Sequence, residues 1–291
     1  MYYVVTTQTT TNELIPYNWD KTNKTLLIYN RVPKCGSGTM LKIFDRLSVR
    51  NNFTLKGYLM YSRYKPTKEQ EENAAQYVMT MPRPACLVKH FFYINFTEFN
   101  LPKPMYINMI REPVEMWISS YYFEQMVPSG YRQNPQNLNN ITAEFVDCFS
   151  KGVSKCRVLH GAKEQKKLSI PYICGNQPFC LTIGSKEALQ RAKYVAEKEY
   201  AIIGVLEEFN ITLQLMEYFL PEYFRGALKI QTEDRRNAKS HMVDRSKVED
   251  KLTEIKSELR KNLTLEYEFY YFVKQRLFWQ YDIMKNIYIK S

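Results

Sequence analysis

The amino-acid sequence predicts an α/β domain with a central parallel sheet and flanking helices. Two observations carry this: short uninterrupted apolar runs recur along the chain, and stretches with apolar residues at helical spacing alternate with them. A third is that the first apolar run passes into its helix through a polar turn containing two glycines.

Residues 1 to about 24 are rich in Thr and Asn, lack periodicity, and read as a tail or stem, so residues 25–291 are expected to form one domain. Leu26-Leu27-Ile28-Tyr29 is the first expected strand. It is followed by Arg31-Val32-Pro33-Lys34-Cys35-Gly36-Ser37-Gly38-Thr39, and then by Met40, Ile43, Phe44 and Leu47 at helical spacing. Ala85-Cys86-Leu87-Val88 is the second strand and ends in Lys89-His90. Met105-Tyr106-Ile107-Asn108-Met109-Ile110 is the third and ends in Arg111-Glu112-Pro113. Pro113 suits the first turn of a helix whose buried face would be Val114, Trp117, Ile118 and Tyr121. Residues 200–206 form the fourth, leading through Glu207 and Glu208 into a helix over about 212–220. Between the third and fourth lies an insertion, about residues 128–182, poor in periodicity. From about residue 248, Leu252, Ile255, Leu259 and Leu263 mark one helical stripe that runs on into aromatic residues 267–272. This is expected to be a helix packed on the body or on another subunit.

A length of 291 residues suffices for one full core, and a composition 45% hydrophobic and 14% aromatic excludes a disordered chain. No internal repeat of roughly 20–50 residues is present, which excludes a solenoid. No run reaches about 18 apolar residues, and the start lacks the basic and then apolar blocks of a signal peptide, so the chain as given is expected to be soluble. Six cysteines stand at 35, 86, 148, 156, 174 and 180, the last four in two close couples. Loop closures this short suit disulfides. Zinc is the rival, although both couples lack the usual ligand spacing and His160 is the only histidine near them. The couples and six Asn-x-Ser/Thr triplets, at Asn23, Asn52, Asn95, Asn140, Asn210 and Asn262, together favour an oxidising, glycosylating compartment. The formal net charge of +11 points to an acidic partner: nucleic acid, an anionic membrane or a polyanionic substrate.

Ligands of open parallel sheets bind beyond the carboxyl ends of the strands. Three of the four expected strand ends carry a chemically useful residue: Lys34, His90 and Arg111. The loop at Lys34 adds Gly36 and Gly38 with the hydroxyls of Ser37 and Thr39, so its backbone N–H groups can cradle phosphate or sulfate at a helix N-terminus. An ATP-binding Walker loop places its lysine after the glycines, whereas Lys34 precedes both. Arg111, at the strand end where a metal-holding acid would sit, attracts an anion and repels Mg²⁺. These residues imply a phosphorylated donor held without metal.

Several blocks in the same order resemble the glycosaminoglycan uronosyl 2-O-sulfotransferases: residues 29–37, Ile110-Arg111-Glu112-Pro113-Val114 with Ser119-Ser120-Tyr121-Tyr122-Phe123, Lys89-His90-Phe91-Phe92, and Ile170-Pro171-Tyr172-Ile173-Cys174-Gly175. The resemblance spans about residues 26–272 and includes 204–208, 220–226 and 267–270. It implies a P-loop-like sulfotransferase fold, 3′-phosphoadenosine 5′-phosphosulfate (PAPS) as donor with PAP as product, and an acidic glycosaminoglycan as partner. It also implies a Golgi-lumenal, type II membrane enzyme whose anchor is missing from this chain, and a homo-oligomer. By the same resemblance, Lys34 and the backbone of Cys35, Gly36, Ser37, Gly38 and Thr39 hold the 5′-phosphosulfate, with Lys34 neutralising charge on the leaving oxygen. Arg111 and Ser119 match the pair that grips the 3′-phosphate. A structural salt bridge is the plain alternative for Arg111.

His90 matches the base that takes the proton from a uronic acid 2-hydroxyl as it attacks sulfur in line; His160 and His241 are expected to be structural or donor-contacting. Arg31, Lys89 and Arg132 are candidates for acceptor carboxylates or sulfates, and Lys239 and Ser240 for closing over the donor, a solvated surface charge being the alternative for each. The family's paired cysteines coincide with Cys148/Cys156 and Cys174/Cys180. Cys35 is expected as a packed thiol and Cys86 as a buried strand residue, with a bridge between them left open. Heparan-type members carry a His and a Tyr where this chain has Val88 and Ser120. The Lys-Cys-Gly-Ser and Ile-Pro-Tyr blocks look more like the uronyl 2-sulfotransferase branch, so dermatan or chondroitin is expected over heparan. A non-catalytic heparin- or polyanion-binding protein on the same fold is the competing reading. Nucleotide kinase activity lacks its Walker order, and nucleic-acid binding lacks any recognised module.

Overall fold

The computed structural model describes residues 22–57, 66–126, 138–159, 168–237 and 249–290. Five strands pair in parallel in the order β2-β3-β1-β4-β5: β1 Thr22–Asn30, β2 Thr54–Lys56, β3 Ala85–Lys89, β4 Lys103–Ile110 and β5 Tyr200–Val205. Leu26, Leu27, Ile28 and Tyr29 are fully buried in the central strand, as expected of a parallel strand covered on both faces. The chain leaves β1 toward β3 and β2, then crosses to β4 and β5 on the other side. The carboxyl end of β1 therefore stands where the strand order reverses, the position at which such sheets open a ligand crevice.

Four strands were legible as apolar runs; β2 is a fifth. It has three residues with a single apolar side chain, Leu55, and lies at the sheet edge, too short to show a pattern. Its backbone joins the sheet through β3 and through Thr54 N–H donating to Pro84 O at 2.8 Å.

The helices are α1 Ser37–Arg50, α2 Lys68–Met79, α3 Pro113–Met126, α4 Leu138–Ser150, α5 Ser169–Cys174, α6 Lys186–Lys198, α7 Phe209–Phe219, α8 Pro221–Phe224, α9 Ala227–Asn237, α10 Glu249–Asn262 and α11 Thr264–Lys290. Met40, Ile43, Phe44 and Leu47 form the buried face of α1, and Pro113 opens α3. The insertion is better ordered than its sequence implied. α4 buries Phe145, Val146, Cys148 and Phe149, and every residue of the short α5 is buried. Cys148–Cys156 and Cys174–Cys180 are disulfides, with Cα atoms 6.2 and 5.6 Å apart. Cys35 and Cys86 are free thiols, both buried, so the bridge between them does not form. The C-terminal stripe is two helices rather than one. Leu252, Ile255 and Leu259 are buried on α10, the chain breaks at Leu263, and α11 packs across β5, α6 and α7. No helix among the described residues is long and apolar enough to cross a membrane.

Candidate active site

The loop after β1 is shaped by two left-handed residues. Lys34 has φ of 63°, uncommon outside glycine, and Gly36 has φ of 71° as the residue capping α1. The positive φ favours glycine at position 36, and a Cβ there would stand 2.6 Å from Leu206 Cδ1, so the end of that side chain would have to move; a Cβ at Gly38 would meet nothing within 4 Å. The N-terminus of α1 has neither a side-chain cap nor an acidic residue in its first turn. Its leading N–H groups and the positive end of its dipole are left to whatever enters the space before them.

That space is a cleft of about 670 Å³, lined by Pro33, Lys34, Gly36, Ser37 and Gly38 of the loop, His90 after β3, and Arg111 after β4. Ser119, Ser120, Phe123 and Glu124 of α3 and Leu206 after β5 complete it. The three strand-end residues singled out in the sequence thus meet in one cleft, together with Ser119. Thr39 is exposed, Cys35 is buried, Arg31 and Lys89 are partly buried, and none of the four lines the cleft. Arg132, Lys239, Ser240, His160 and His241 lie outside the described residues.

His90 is oriented through its Nδ1, which is 2.8 Å from the carbonyl oxygen of Arg31. A carbonyl only accepts, so Nδ1 carries the hydrogen, and in the neutral ring Nε2 holds the lone pair. The same two loops are stitched by Arg31 N–H donating to Lys89 O at 2.8 Å. Arg111 donates to Lys34 O at 3.4 Å and pairs with Glu115 at 3.5 Å. The salt bridge weighed for Arg111 is present but long, and Glu115 is held more closely by Lys256, at 2.6 Å. Such a shared pair orients the guanidinium without neutralising it. Lys34 Nζ sits 4.2 Å from the centroid of the Phe123 ring, a cation–π contact at the cleft wall.

Cys35 is not a nucleophile here. Burial pushes its thiol well above the usual range, and Sγ lies 3.3 Å from Met116 Sδ and 3.4 Å from Pro33 O. Burial also pulls the Lys89 ammonium below its ordinary value.

Sequence reasoning missed the second half of α3's contribution. Ser119 and Phe123, and likewise Ser120 and Glu124, stand four residues apart, so each pair shares a helix face, and both pairs border the cleft. Ser120 is 4% exposed and its hydroxyl finds no partner among the described residues. Of the two departures from the heparan-type pattern, Val88 is buried within β3 and Ser120 lines the cleft, so only the second can touch a ligand.

A profile described as the sulfotransferase family matches residues 18–273. The uronyl 2-sulfotransferase homolog pip of Drosophila melanogaster is 35% identical, the match covering 96% of this chain and 58% of that protein. Human uronyl 2-sulfotransferase is 29% identical over 89% of this chain and 63% of its own length. Chicken heparan sulfate 2-O-sulfotransferase 1 is 31% identical over 88% and 72%. The chain spans about three fifths of the length of the two uronyl-type relatives. A solved mouse sulfotransferase, SULT7A1 complexed with PAP, is 11% identical at a TM-score of 0.41, over 78% of this chain and 71% of that one, a likeness too slight to bear on the chemistry. On the family match across most of its length and on relatives above 30% identity, this chain belongs to the sulfotransferase family.

Proposed function

We propose that this chain transfers a sulfuryl group from PAPS to the 2-hydroxyl of a uronic acid in a glycosaminoglycan, with dermatan or chondroitin favoured over heparan. The observation that carries the reading is that a histidine with a defined tautomer, a lysine, an arginine and an uncapped helix N-terminus share one cleft. The names of the relatives, uronyl 2-sulfotransferase and heparan sulfate 2-O-sulfotransferase, supply the reaction class and the acidic polysaccharide. The lean toward dermatan and chondroitin rests on the sequence blocks of the uronyl branch and on Ser120 in the cleft wall.

The cleft fits a donor with two anionic ends: it offers backbone N–H groups, two cations, and the unpartnered buried hydroxyl of Ser120. Bound there, PAPS supplies the sulfuryl group, and PAP is left. Lys34 and the backbone N–H groups of residues 35–39 would hold the 5′ end and stabilise the charge that builds on the leaving phosphate oxygen. Arg111 and Ser119 would hold the 3′-phosphate. His90 Nε2 would take the proton from the acceptor hydroxyl as its oxygen bonds to sulfur from the side opposite the leaving group. The disulfides and the Asn-x-Ser/Thr triplets support a Golgi-lumenal location. Homo-oligomerisation remains part of the proposal.

The experiment is to offer labelled PAPS with desulfated heparan, dermatan and chondroitin in parallel and analyse the product disaccharides. Label in 2-O-sulfated uronic acid from dermatan or chondroitin is the expected result. His90→Ala is expected to lose at least about 10²-fold in turnover, the scale of general-base catalysis, while PAP affinity measured by calorimetry stays unchanged. A mutant with the wild-type rate removes His90 as the base. PAP binding without turnover on any of the three polymers turns the reading into that of a polyanion-binding protein.

A further inference from the structure

Directly beneath the cleft, two asparagines sit fully buried at the carboxyl half of the sheet, Asn30 ending β1 and Asn108 within β4. Asn108 Nδ2 donates to Asn30 O at 2.8 Å and to Asn30 Oδ1 at 2.9 Å. Tyr200 of β5 donates its hydroxyl to the same Asn30 Oδ1 at 2.8 Å. Asn30 Nδ2 in turn donates to the carbonyls of Tyr172, at 3.1 Å, and Phe91, at 3.4 Å. On the other amide, Asn108 Oδ1 accepts from Met109 N–H at 2.8 Å and from Val32 N–H at 3.4 Å. Asn30 thereby uses two donor and two acceptor positions, the full capacity of its amide as a two-hydrogen donor with a carbonyl accepting twice.

Burying two amides in the middle of an apolar sheet costs stability unless every group is satisfied, and a leucine pair would fill the space without that requirement. The destinations of the bonds give these amides a role. Val32 belongs to the anion loop two residues before Lys34. Phe91 is the residue after His90, and Tyr172 lies in α5, whose backbone carbonyl also accepts from Tyr93 N–H at 2.9 Å. The imidazole itself is tied to Arg31 O, one residue beyond Asn30. His90 is therefore bracketed: residue 31 is bonded to residue 89, His90 to residue 31, and Asn30 to residue 91.

We infer that the Asn30–Asn108–Tyr200 cluster is a positioning device that fixes the His90 loop against the anion loop, so that it governs the orientation and tautomer of the base rather than donor affinity. This rests on the proposed sulfuryl transfer for its rate readout, and the asparagines are positioning residues, since neither lines the cleft. Their effect follows from the steep dependence of transfer on alignment: a displacement on the order of 1 Å costs about 10²-fold in rate. The donor, by contrast, is proposed to be held by Lys34, Arg111, Ser119 and the α1 N-terminus, none of which bonds to the Asn30 side chain.

The test uses Asn30→Leu, with Tyr200→Phe as a milder change that removes one hydroxyl and leaves both loop contacts of Asn30 in place. Three measurements are made on each: kcat and donor KM, PAP affinity, and the ¹⁵N spectrum of the imidazoles, of which the chain has only 3. Wild type is expected to show His90 as the Nδ1–H tautomer. In Asn30→Leu, kcat is expected to fall about 10-fold or more with PAP affinity within about 2-fold, and the His90 signals are expected to move toward a mixture of tautomers. Tyr200→Phe is expected to move the same readouts in the same direction by a smaller amount, and it decides the matter if Asn30→Leu does not fold. An unchanged His90 tautomer in a folded variant overturns the inference, as does a loss of PAP affinity equal to the loss of turnover. The tautomer readout needs no turnover, so a wild-type chain that fails to transfer sulfate sinks the proposed reaction and leaves this inference to be judged on its own.

Discussion

Ser120 sets the chemistry of single residues against the energetics of folding. A hydroxyl buried to 4% exposure with no partner among the described residues costs on the order of 1–3 kcal/mol relative to one that is satisfied. A ligand oxygen in the cleft would remove that cost, which is a binding energy stored in the empty protein. Ser120→Ala is therefore expected to raise the melting temperature of the ligand-free protein by a few degrees and to weaken PAP binding by about 10-fold or more, the value of one hydrogen bond to a charged acceptor. Thermal melts with and without PAP read both effects together. Equal PAP affinity in the two proteins would mean that the hydroxyl meets no ligand. In the sequence, Ser120 was visible only as a departure from a tyrosine. Its burial depends on how α3 is rotated against the sheet, and Ser-Ser carries no such information. Lys34, His90 and Arg111 were legible because each follows an apolar run, and strand ends are marked in the sequence itself.

Among the elements, the junction of β1 and α1 shows what spacing can and cannot convey. Gly36 and Gly38 look equivalent in the chain, both candidates for close approach of an anion. In the fold, Gly36 carries φ of 71° and packs against Leu206, whereas Gly38 faces open space. Gly36→Ala is expected to cost about 1–2 kcal/mol in left-handed backbone strain alone, to displace Leu206 from the cleft wall, and to weaken PAP binding by 10-fold or more. Gly38→Ala is expected to leave stability unchanged or raise it by up to about 1 kcal/mol, because alanine favours the helix it enters. Denaturant midpoints and calorimetric titration of the two variants check this contrast, and equal destabilisation would remove the close packing at Gly36 as its reason. The insertion was hard to read for a different cause. α5 is six residues long and buried on every side, so it has no polar face to generate a period. β2 was hidden by brevity, and the division of the C-terminal stripe at Leu263 by the fact that Leu263 is itself buried and continues the apolar pattern.

Across the whole molecule, the described segments are joined by one apolar cluster running from Leu26 to Met284, and Glu266 is a buried carboxyl group among the described residues. This carboxyl group at the start of α11 accepts Ser169 N–H at 3.0 Å and Ile170 N–H at 3.2 Å, so it caps α5 from another part of the chain. Burial pushes its pKa up from 4.5 to about 7, and the two N–H groups oppose that rise without cancelling it. The folded protein therefore holds a proton between about pH 4.5 and pH 7 that the unfolded chain has released. The contribution of Glu266 to stability is fully present below the lower value and is lost as pH rises through the upper one. Glu71, raised to about 7 by burial and by the nearby Glu98, adds a slope of the same sign, so the difference between wild type and Glu266→Gln isolates Glu266. Glutamine keeps one oxygen to accept an N–H and cannot ionise. The variant is expected to be less stable than wild type at pH 5 and to lose less stability than wild type on going from pH 5 to pH 8, as read from urea midpoints at both pH values. Parallel losses in the two proteins would show that the carboxyl does not titrate in this range. α5 thus carries both the Ser169 N–H that Glu266 accepts and the Tyr172 carbonyl that Asn30 grips.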